Sequence, residues 1–389
     1  DMNNRSLVID DKSGNIRDKW DRVNPPSAIV QLSEDQVQED FEVLKKALLG
    51  LHPGIYRYNT PAEFVKSLED LRIQMLEARD QISLYKAISK FLATIQCGHT
   101  YANFYNQSSE IKALLHDKKD KLPFSTTWLN GKWYITGDAS AYQLDPGTEI
   151  ISIDGISSSE ILNRLMPYVK SDGSNDGKRI YDLGIHLNDR YESFDIYFPL
   201  EFPQPDDTVI CRVQLPGGEE KELEVRLVEA DQRRALLTEQ YEDIPKSAED
   251  TWRFEMLNKE TGYLKLGTFA VWNFQMDWKK FIRTAFSDLR KEEVPNLIID
   301  IRGNEGGADE VMAMLGKNLM ENSCGIKAFE TRVRYQKLPT ELKPFVGTWD
   351  KRIYDISDAY PISRDGFYVN ENEQEIERLP GSAKAYKGN

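Results

Sequence analysis

Cysteine and histidine are scarce in this chain of 389 residues, which has three of the first and four of the second. Cys97, Cys211 and Cys324 are odd in number, far apart and without CxxC spacing. Neither a structural zinc site nor a disulfide framework is indicated. Four histidines leave little material for a His-rich metal site, and the sequence calls for no metal and no cofactor. No apolar run approaches the ~18 residues that a membrane-spanning helix needs. Basic residues are outnumbered 50 to 64, giving a net charge of −14, and no dense Lys/Arg run appears. Nucleic acid is therefore excluded as a partner, because phosphate contact needs clustered cations. No repeat or low-complexity tract is present. What the chain does have is 40% hydrophobic and 11% aromatic residues, enough for sizeable cores. At ~100–200 residues per domain, two to four domains are expected. Asp1 opens the chain without a Met-initiated apolar segment, compatible with no signal peptide or with one already removed.

Residues 1–32 are polar, with Pro25-Pro26 near their end, and read as an irregular lead-in. Helical signals follow. Ser33 and Gln36 form a capping-box pattern, and Val37, Phe41, Leu44, Leu48 and Leu51 recur at three- and four-residue steps. His52-Pro53-Gly54 stops that helix. Thr60-Pro61-Ala62-Glu63 starts the next, with Phe64, Leu68, Leu71 and Met75 as its stripe. Ser83 opens a third, facing Leu84, Ile88, Phe91, Leu92 and Ile95 inward. Residues 33–118 therefore read as a helical domain, whose bundle ends at Cys97-Gly98-His99-Thr100.

From about residue 120 the pattern turns to strands. Trp128-Leu129-Asn130-Gly131-Lys132-Trp133 is a hairpin signal with Asn-Gly at the turn. Glu149–Asp154 reads as a strand, Ser158–Tyr168 as a helix, and Val209–Gln214 pairs with Glu222–Leu227 around Pro216-Gly217-Gly218. Residues 169–206 read as an irregular insertion. Residues 119–232 thus make a β domain. Beyond residue 245, Tyr263–Phe269 is expected as a strand and Trp278–Leu289 as a helix. Asn296–Ile301 is a short apolar strand of the kind buried on both faces. A glycine loop and a further helix through Val311, Leu315 and Leu319 complete a βαβ unit with parallel strands. Little regular structure is expected beyond residue 336.

The glycine loop Arg302-Gly303-Asn304-Glu305-Gly306-Gly307 is the strongest chemical feature. Its backbone N–H groups, at a helix N-terminus, suit negative charge. Neither GxxxxGK[ST] nor GxGxxG is present. Two uses stay open, an oxyanion hole for acyl transfer and a tight turn that lets the helix pack. His99 is either a general base, a role that histidine as a residue type suits, or a structural histidine at a domain junction. Asp300 ends the strand and can orient a base or cap a helix; Arg302 two residues on favours an ion-paired anchor. Glu305 should face solvent. Cys97 reads as a small buried helix-end residue, His52 as structural or capping, and His116 and His186 as lying in polar surroundings without a constellation.

Taken in order, a helical segment ending in Gly98-His99-Thr100, the Gly147-Thr148-Glu149-Ile150-Ile151-Ser152-Ile153-Asp154-Gly155 module, the Gly262-Tyr263-Leu264-Lys265-Leu266 strand and Asp300-Ile301-Arg302-Gly303-Asn304-Glu305-Gly306-Gly307 resemble the tail-specific and tricorn-type serine peptidases of the S41 family. The resemblance covers about residues 33–389, and the glycine loop is its most specific part. It implies an α+β multidomain chain: an N-terminal helical bundle, a PDZ-like β domain with an insertion, and a partial α/β (ClpP/crotonase-like) core over 245–389. It implies peptide-bond hydrolysis by acyl transfer from a serine. His99 inherits the role of base, and Gly306 or Gly307 that of oxyanion-hole donor; Asp300, Arg302 and Asn304 anchor the loop. In archaeal members of the tricorn-like branch a catalytic serine precedes the histidine; here Gly98 stands in that place.

The family's nucleophile lies in a Ser-Ala pair beyond a Tyr-x-Gly lead-in and a short strand. Ala385-Tyr386-Lys387-Gly388-Asn389 resembles that lead-in, so the expectation is a nucleophile outside these residues and no peptidase activity from them alone. Ser382, in Pro380-Gly381-Ser382-Ala383, precedes the lead-in and is not taken as the nucleophile. The partner implied is a polypeptide, and the place the bacterial cell envelope, with the signal segment removed. The alternative is a catalytically silent binding protein on the same scaffold, carrying peptide or apolar ligand in a groove lined by Trp272, Phe274 or Tyr354.

Overall fold

The computed structural model describes residues 31–242, 244–327, 331–370, 376–379, 381–382 and 384–388, and the backbone of 8–9 and 16–17. The chain divides into two compact units. One comprises Asp1–Leu237 with Thr331–Glu371, the other Thr238–Glu330 with Asn372–Asn389. Residues 331–371, read from sequence as part of the α/β core, thus cluster with the first unit. Within the lead-in, β1 (Val8–Ile9) pairs antiparallel with β2 (Ile16–Arg17); Pro25-Pro26 lies outside the described residues.

The first unit begins with α1 (Glu34–Leu51), α2 (Pro61–Ala78) and α3 (Gln81–Ala93). Their starts follow the sequence signals. Ser33 and Gln36 exchange a reciprocal capping box, Thr60 and Glu63 another, and Pro61 sits in the first turn, where its missing N–H costs nothing. Asp80 caps α3, three residues before Ser83, by accepting the Ser83 N–H at 3.0 Å. The three apolar stripes meet in one core around Phe41, Phe64, Leu71 and Phe91. A short α4 (Ser109–Leu115), capped by Ser108, follows.

The strands of this unit are β3 (Phe124–Leu129), β4 (Lys132–Asp138), β5 (Glu149–Ile153), β6 (Ile156–Ser157), β7 (Thr208–Gln214) and β8 (Glu220–Arg226). They form one antiparallel sheet in the order β3-β4-β5-β7-β8, with β6 beside β5. Asn130 and Gly131 both hold positive φ, +52° and +76°, as a two-residue turn matched to strand twist requires. The turn sets Trp128 opposite Trp133, and the rings stack at 5.1 Å. Trp133 is fully buried, a contribution of roughly 2–3 kcal/mol. After α5 (Ser158–Leu165) comes the insertion, which is not irregular: it holds α6 (Asp176–Asp182) and α7 (Ser193–Glu201). Helix α7 is apolar all round, with Phe194, Ile196, Tyr197 and Phe198 all buried, so it shows no amphipathic period. Its Asp195 is buried too and takes both Nη groups of Arg233, from α8 (Ala230–Gln240). Residues 331–371 add β13 (Arg332–Val333), β14 (Ile362–Arg364) and β15 (Phe367–Val369), an antiparallel trio.

The second unit has β9 (Trp252–Asn258), β10 (Thr261–Leu266), α9 (Trp278–Lys291), β11 (Asn296–Asp300) and α10 (Asp309–Leu319). Strands β10 and β11 pair in parallel, joined through α9, while β9 pairs antiparallel to β10. The βαβ reading holds for this unit. The expectation that Asn296–Ile301 is buried on both faces does not. In the order β11-β10-β9 it is an edge strand, and Ile298 and Ile301 are 47% and 54% exposed. Continuous apolar sequence does not distinguish an interior strand from an edge strand. Ile282, Phe286 and Leu289 of α9 cover one sheet face. The approach is close at Gly262, where a Cβ would lie 2.5 Å from Leu289 Cδ2 and would make that side chain shift. Strand β12 (Cys324–Lys327) pairs with β16 (Ile376–Leu379). Near the end of the chain, Tyr386 donates its hydroxyl to Val294 O at 2.7 Å and meets Phe286 edge-on. Among the described residues no helix is long and apolar enough to cross a membrane.

Candidate functional site

The glycine loop of the second unit starts at Asp300, the last residue of β11. The parallel register sets Tyr263 opposite Ile298 and Lys265 opposite Asp300. The Asp300 carboxylate accepts the Tyr263 hydroxyl at 2.5 Å, the Arg302 N–H at 3.0 Å, Nε at 2.9 Å and Nη2 at 2.6 Å. The Arg302 hydrogen bonds, against a smaller opposing effect of burial and with help from Tyr263, hold the carboxyl well below the usual range. A carboxylate so fully used is committed to holding the loop. Asn304 makes the second anchor, donating Nδ2 to Leu266 O at 2.9 Å and accepting the Gly306 N–H on Oδ1 at 2.7 Å.

The far side of the loop is tied to the segment after β10. Phe269 N–H donates to Gly306 O at 3.0 Å, and Ala308 N–H to Phe269 O at 2.7 Å. In such a parallel bridge the middle residue, here Gly307, turns its own N–H away from the partner chain. The two glycines therefore differ. The Gly306 N–H is consumed by Asn304, whereas the Gly307 N–H has no acceptor among the described residues. Gly307 holds φ +144°, and a Cβ there would lie 2.0 Å from Phe269 C. Only glycine fits. Just beyond, Asp309 and Glu310 occupy the first turn of α10. Glu305 is exposed, as expected.

His99 belongs to the first unit and follows α3. Thr94 ends that helix, and Gln96, at φ +57°, reverses the chain. Thr100 N–H closes the turn on Cys97 O at 2.9 Å. His99 itself is exposed and has no hydrogen-bond partner among the described residues. Its neighbours are tied on both sides. Gly98 donates its N–H to Asp172 Oδ1 at 2.8 Å, and Thr100 Oγ1 lies 2.8 Å from His52 Nε2. His52 accepts the Gly54 N–H on Nδ1 at 3.0 Å and receives Arg334 Nε on its carbonyl at 2.8 Å. Burial, then the Arg334 charge, lowers its pKa. Sequence reasoning passed over Asp172 and Arg334, because no local pattern joins residues 74 and 282 positions apart.

Of the remaining histidines, His116 has charged neighbours, Asp117 and Lys121 among them, beside an aromatic enclosure. His116 is buried among Tyr85, Phe104 and Tyr191, with neither ring nitrogen bonded. His186 stacks on Tyr181 at 4.1 Å. Cys97 is half-buried. Ser382 accepts the Lys384 N–H on Oγ at 3.1 Å, a local turn. All four histidines lie in the first unit and Ser382 in the second. Among the described residues no His/Cys/Asp/Glu cluster suits a metal.

Residues 260–366 match the family described as Peptidase family S41. That segment contains β10, β11 and the glycine loop. No curated protein matches. Among solved structures, mature CPAF complexed with lactacystin is 14% identical at a TM-score of 0.53, over 87% of this chain and 69% of that one. A CPAF mutant is 15% identical, with the same score and coverage. The photosystem II D1 C-terminal processing protease is 16% identical over 76% of this chain and 67% of that one, at a TM-score of 0.30. Residues 260–366 thus resemble peptidase family S41, and the chain as a whole shares a mixed α+β fold with CPAF.

Proposed function

We propose that the chain is the scaffold of a serine-type peptidase that hydrolyses polypeptides by acyl transfer. The observation that carries this reading is the Gly307 N–H, without an acceptor among the described residues, in a loop anchored by Asn304 and Phe269 inside the S41-matching segment. In the reading, His99 removes the proton from a serine hydroxyl as its oxygen bonds to the scissile carbonyl carbon. The carbonyl oxygen becomes an oxyanion and accepts the Gly307 N–H. His99 then passes the proton to the departing amine, and water repeats the sequence to release the acyl group. One such donor supplies about 3–4 kcal/mol of barrier lowering. No serine of residues 1–389 is assigned as nucleophile. Asp300, Arg302 and Asn304 act as loop anchors, the β3–β8 sheet as a PDZ-like docking module for polypeptide, and the bacterial cell envelope as the place of action.

The test is hydrolysis of casein or a fluorogenic peptide by the complete gene product. His99→Ala should lower kcat by at least ~10² with the fold intact, and residues 1–389 alone should give no turnover. A kcat untouched by His99→Ala, or turnover by residues 1–389 that Ser382→Ala abolishes, overturns the reading.

A further inference from the structure

We infer that Asp172 and the His52–Thr100 pair are positioning residues for His99, a clamp on the turn that carries it. The inference rests on the proposed role of His99 and adds residues to it. The 97–100 turn lies beyond the α3 hydrogen-bond ladder, and its exposed histidine has no hydrogen-bond partner among the described residues. An unheld turn here would let the ring wander, and a base displaced by an ångström loses much of its rate. Two ties prevent this. On one side the 96–98 and 171–173 segments bond reciprocally. Gly98 N–H donates to Asp172 Oδ1 at 2.8 Å, and Gly173 N–H to Gln96 O at 3.0 Å. Ser171 Oγ, itself buried, braces the second segment through Gly173 O at 2.9 Å. On the other side His52 holds Thr100. Because Nδ1 accepts the Gly54 N–H, the ring proton is on Nε2, and Nε2–H donates to Thr100 Oγ1. Arg334, bonded to the His52 carbonyl, adds a positive charge that disfavours a second ring proton.

Gly98 also lets the tie stay close. A Cβ there would lie 2.7 Å from Asp172 Oδ2 and 3.1 Å from its Cγ, so a side chain at 98 would oblige the carboxylate to shift.

The experiment uses two readouts. In the complete gene product, Asp172→Ala and Thr100→Val should each lower kcat about tenfold, with KM within twofold. Asp172→Asn keeps an acceptor for the Gly98 N–H and should restore most of kcat. In the 389-residue chain, the backbone order parameter of His99 should fall from about 0.85 to below about 0.6 in the Asp172→Ala/Thr100→Val double variant. If His99→Ala disables the enzyme while Asp172→Ala and Thr100→Val leave kcat unchanged, the clamp is refuted and the peptidase reading stands. If His99→Ala changes nothing, the peptidase reading falls and the order parameter alone decides the clamp. An order parameter unchanged in the double variant refutes it.

Discussion

Gly307→Ala is the sharpest perturbation available to the glycine loop. At φ +144° the position is one that an L side chain adopts only under strain, at about 1–3 kcal/mol. The added Cβ would lie 2.0 Å from Phe269 C, 2.2 Å from Phe269 O and 2.3 Å from Ala270 N. These are backbone atoms, so no rotamer change relieves the overlap. Relief means sliding the loop off Phe269, which breaks the Phe269–Gly306 and Ala308–Phe269 hydrogen bonds. At about 1 kcal/mol each, with the backbone strain added, the cost is at least about 3 kcal/mol. Gly306→Ala is the control. It too has positive φ, +93°, but a Cβ there meets nothing within 4 Å, so only strain of about 1 kcal/mol is expected. With two units in the chain, a single melting curve mixes them. Amide exchange on peptides covering Tyr263–Phe269 reads the second unit alone. In the equilibrium-exchange regime Gly307→Ala should speed exchange by about 10², and Gly306→Ala by less than tenfold. Exchange rates for the two variants within threefold of each other would refute the argument from close approach.

Two further predictions concern the first unit. Burial first, then the Lys121 charge, pushes the His116 pKa down to about 4. The unfolded value is about 6.5, so the unfolded chain binds the proton more readily between pH 4 and 6.5, and stability rises with pH across that window. His116→Phe suits the ring of aromatics there and should remove up to about 3 kcal/mol of this dependence. Urea midpoints at pH 4.5 and 7.5 check it; an equal drop in parent and variant contradicts it. Arg233→Met leaves the Asp195 carboxylate buried without its partner and should cost about 3–5 kcal/mol. The double variant Arg233→Met/Asp195→Leu should recover most of that in urea unfolding; a double variant no better than the single one contradicts the ion-pair account.

Much of the fold was legible because its signals are local. Ser33 with Gln36, Thr60-Pro61 with Glu63, and Asn130-Gly131 each fix an element end with neighbouring atoms. Helix α7 was not legible, since a helix buried on all sides has no polar face to set a period. The edge position of β11 was not legible either, because strand order depends on pairing and not on composition. At the site, the residue types of the glycine loop pointed to anion stabilisation by backbone N–H groups. That Asn304 takes the Gly306 N–H and leaves Gly307's unpaired follows only from the folded loop. The reciprocal tie between residues 96–98 and 171–173 is likewise a product of tertiary contact.

Labelling of the complete gene product by a fluorophosphonate probe tests most directly whether His99 drives serine acyl chemistry on this scaffold. One labelled serine, other than Ser382, is expected, with a labelling rate at least ~10² lower in His99→Ala. No labelling of the intact protein, or labelling at the same rate in His99→Ala, would contradict it.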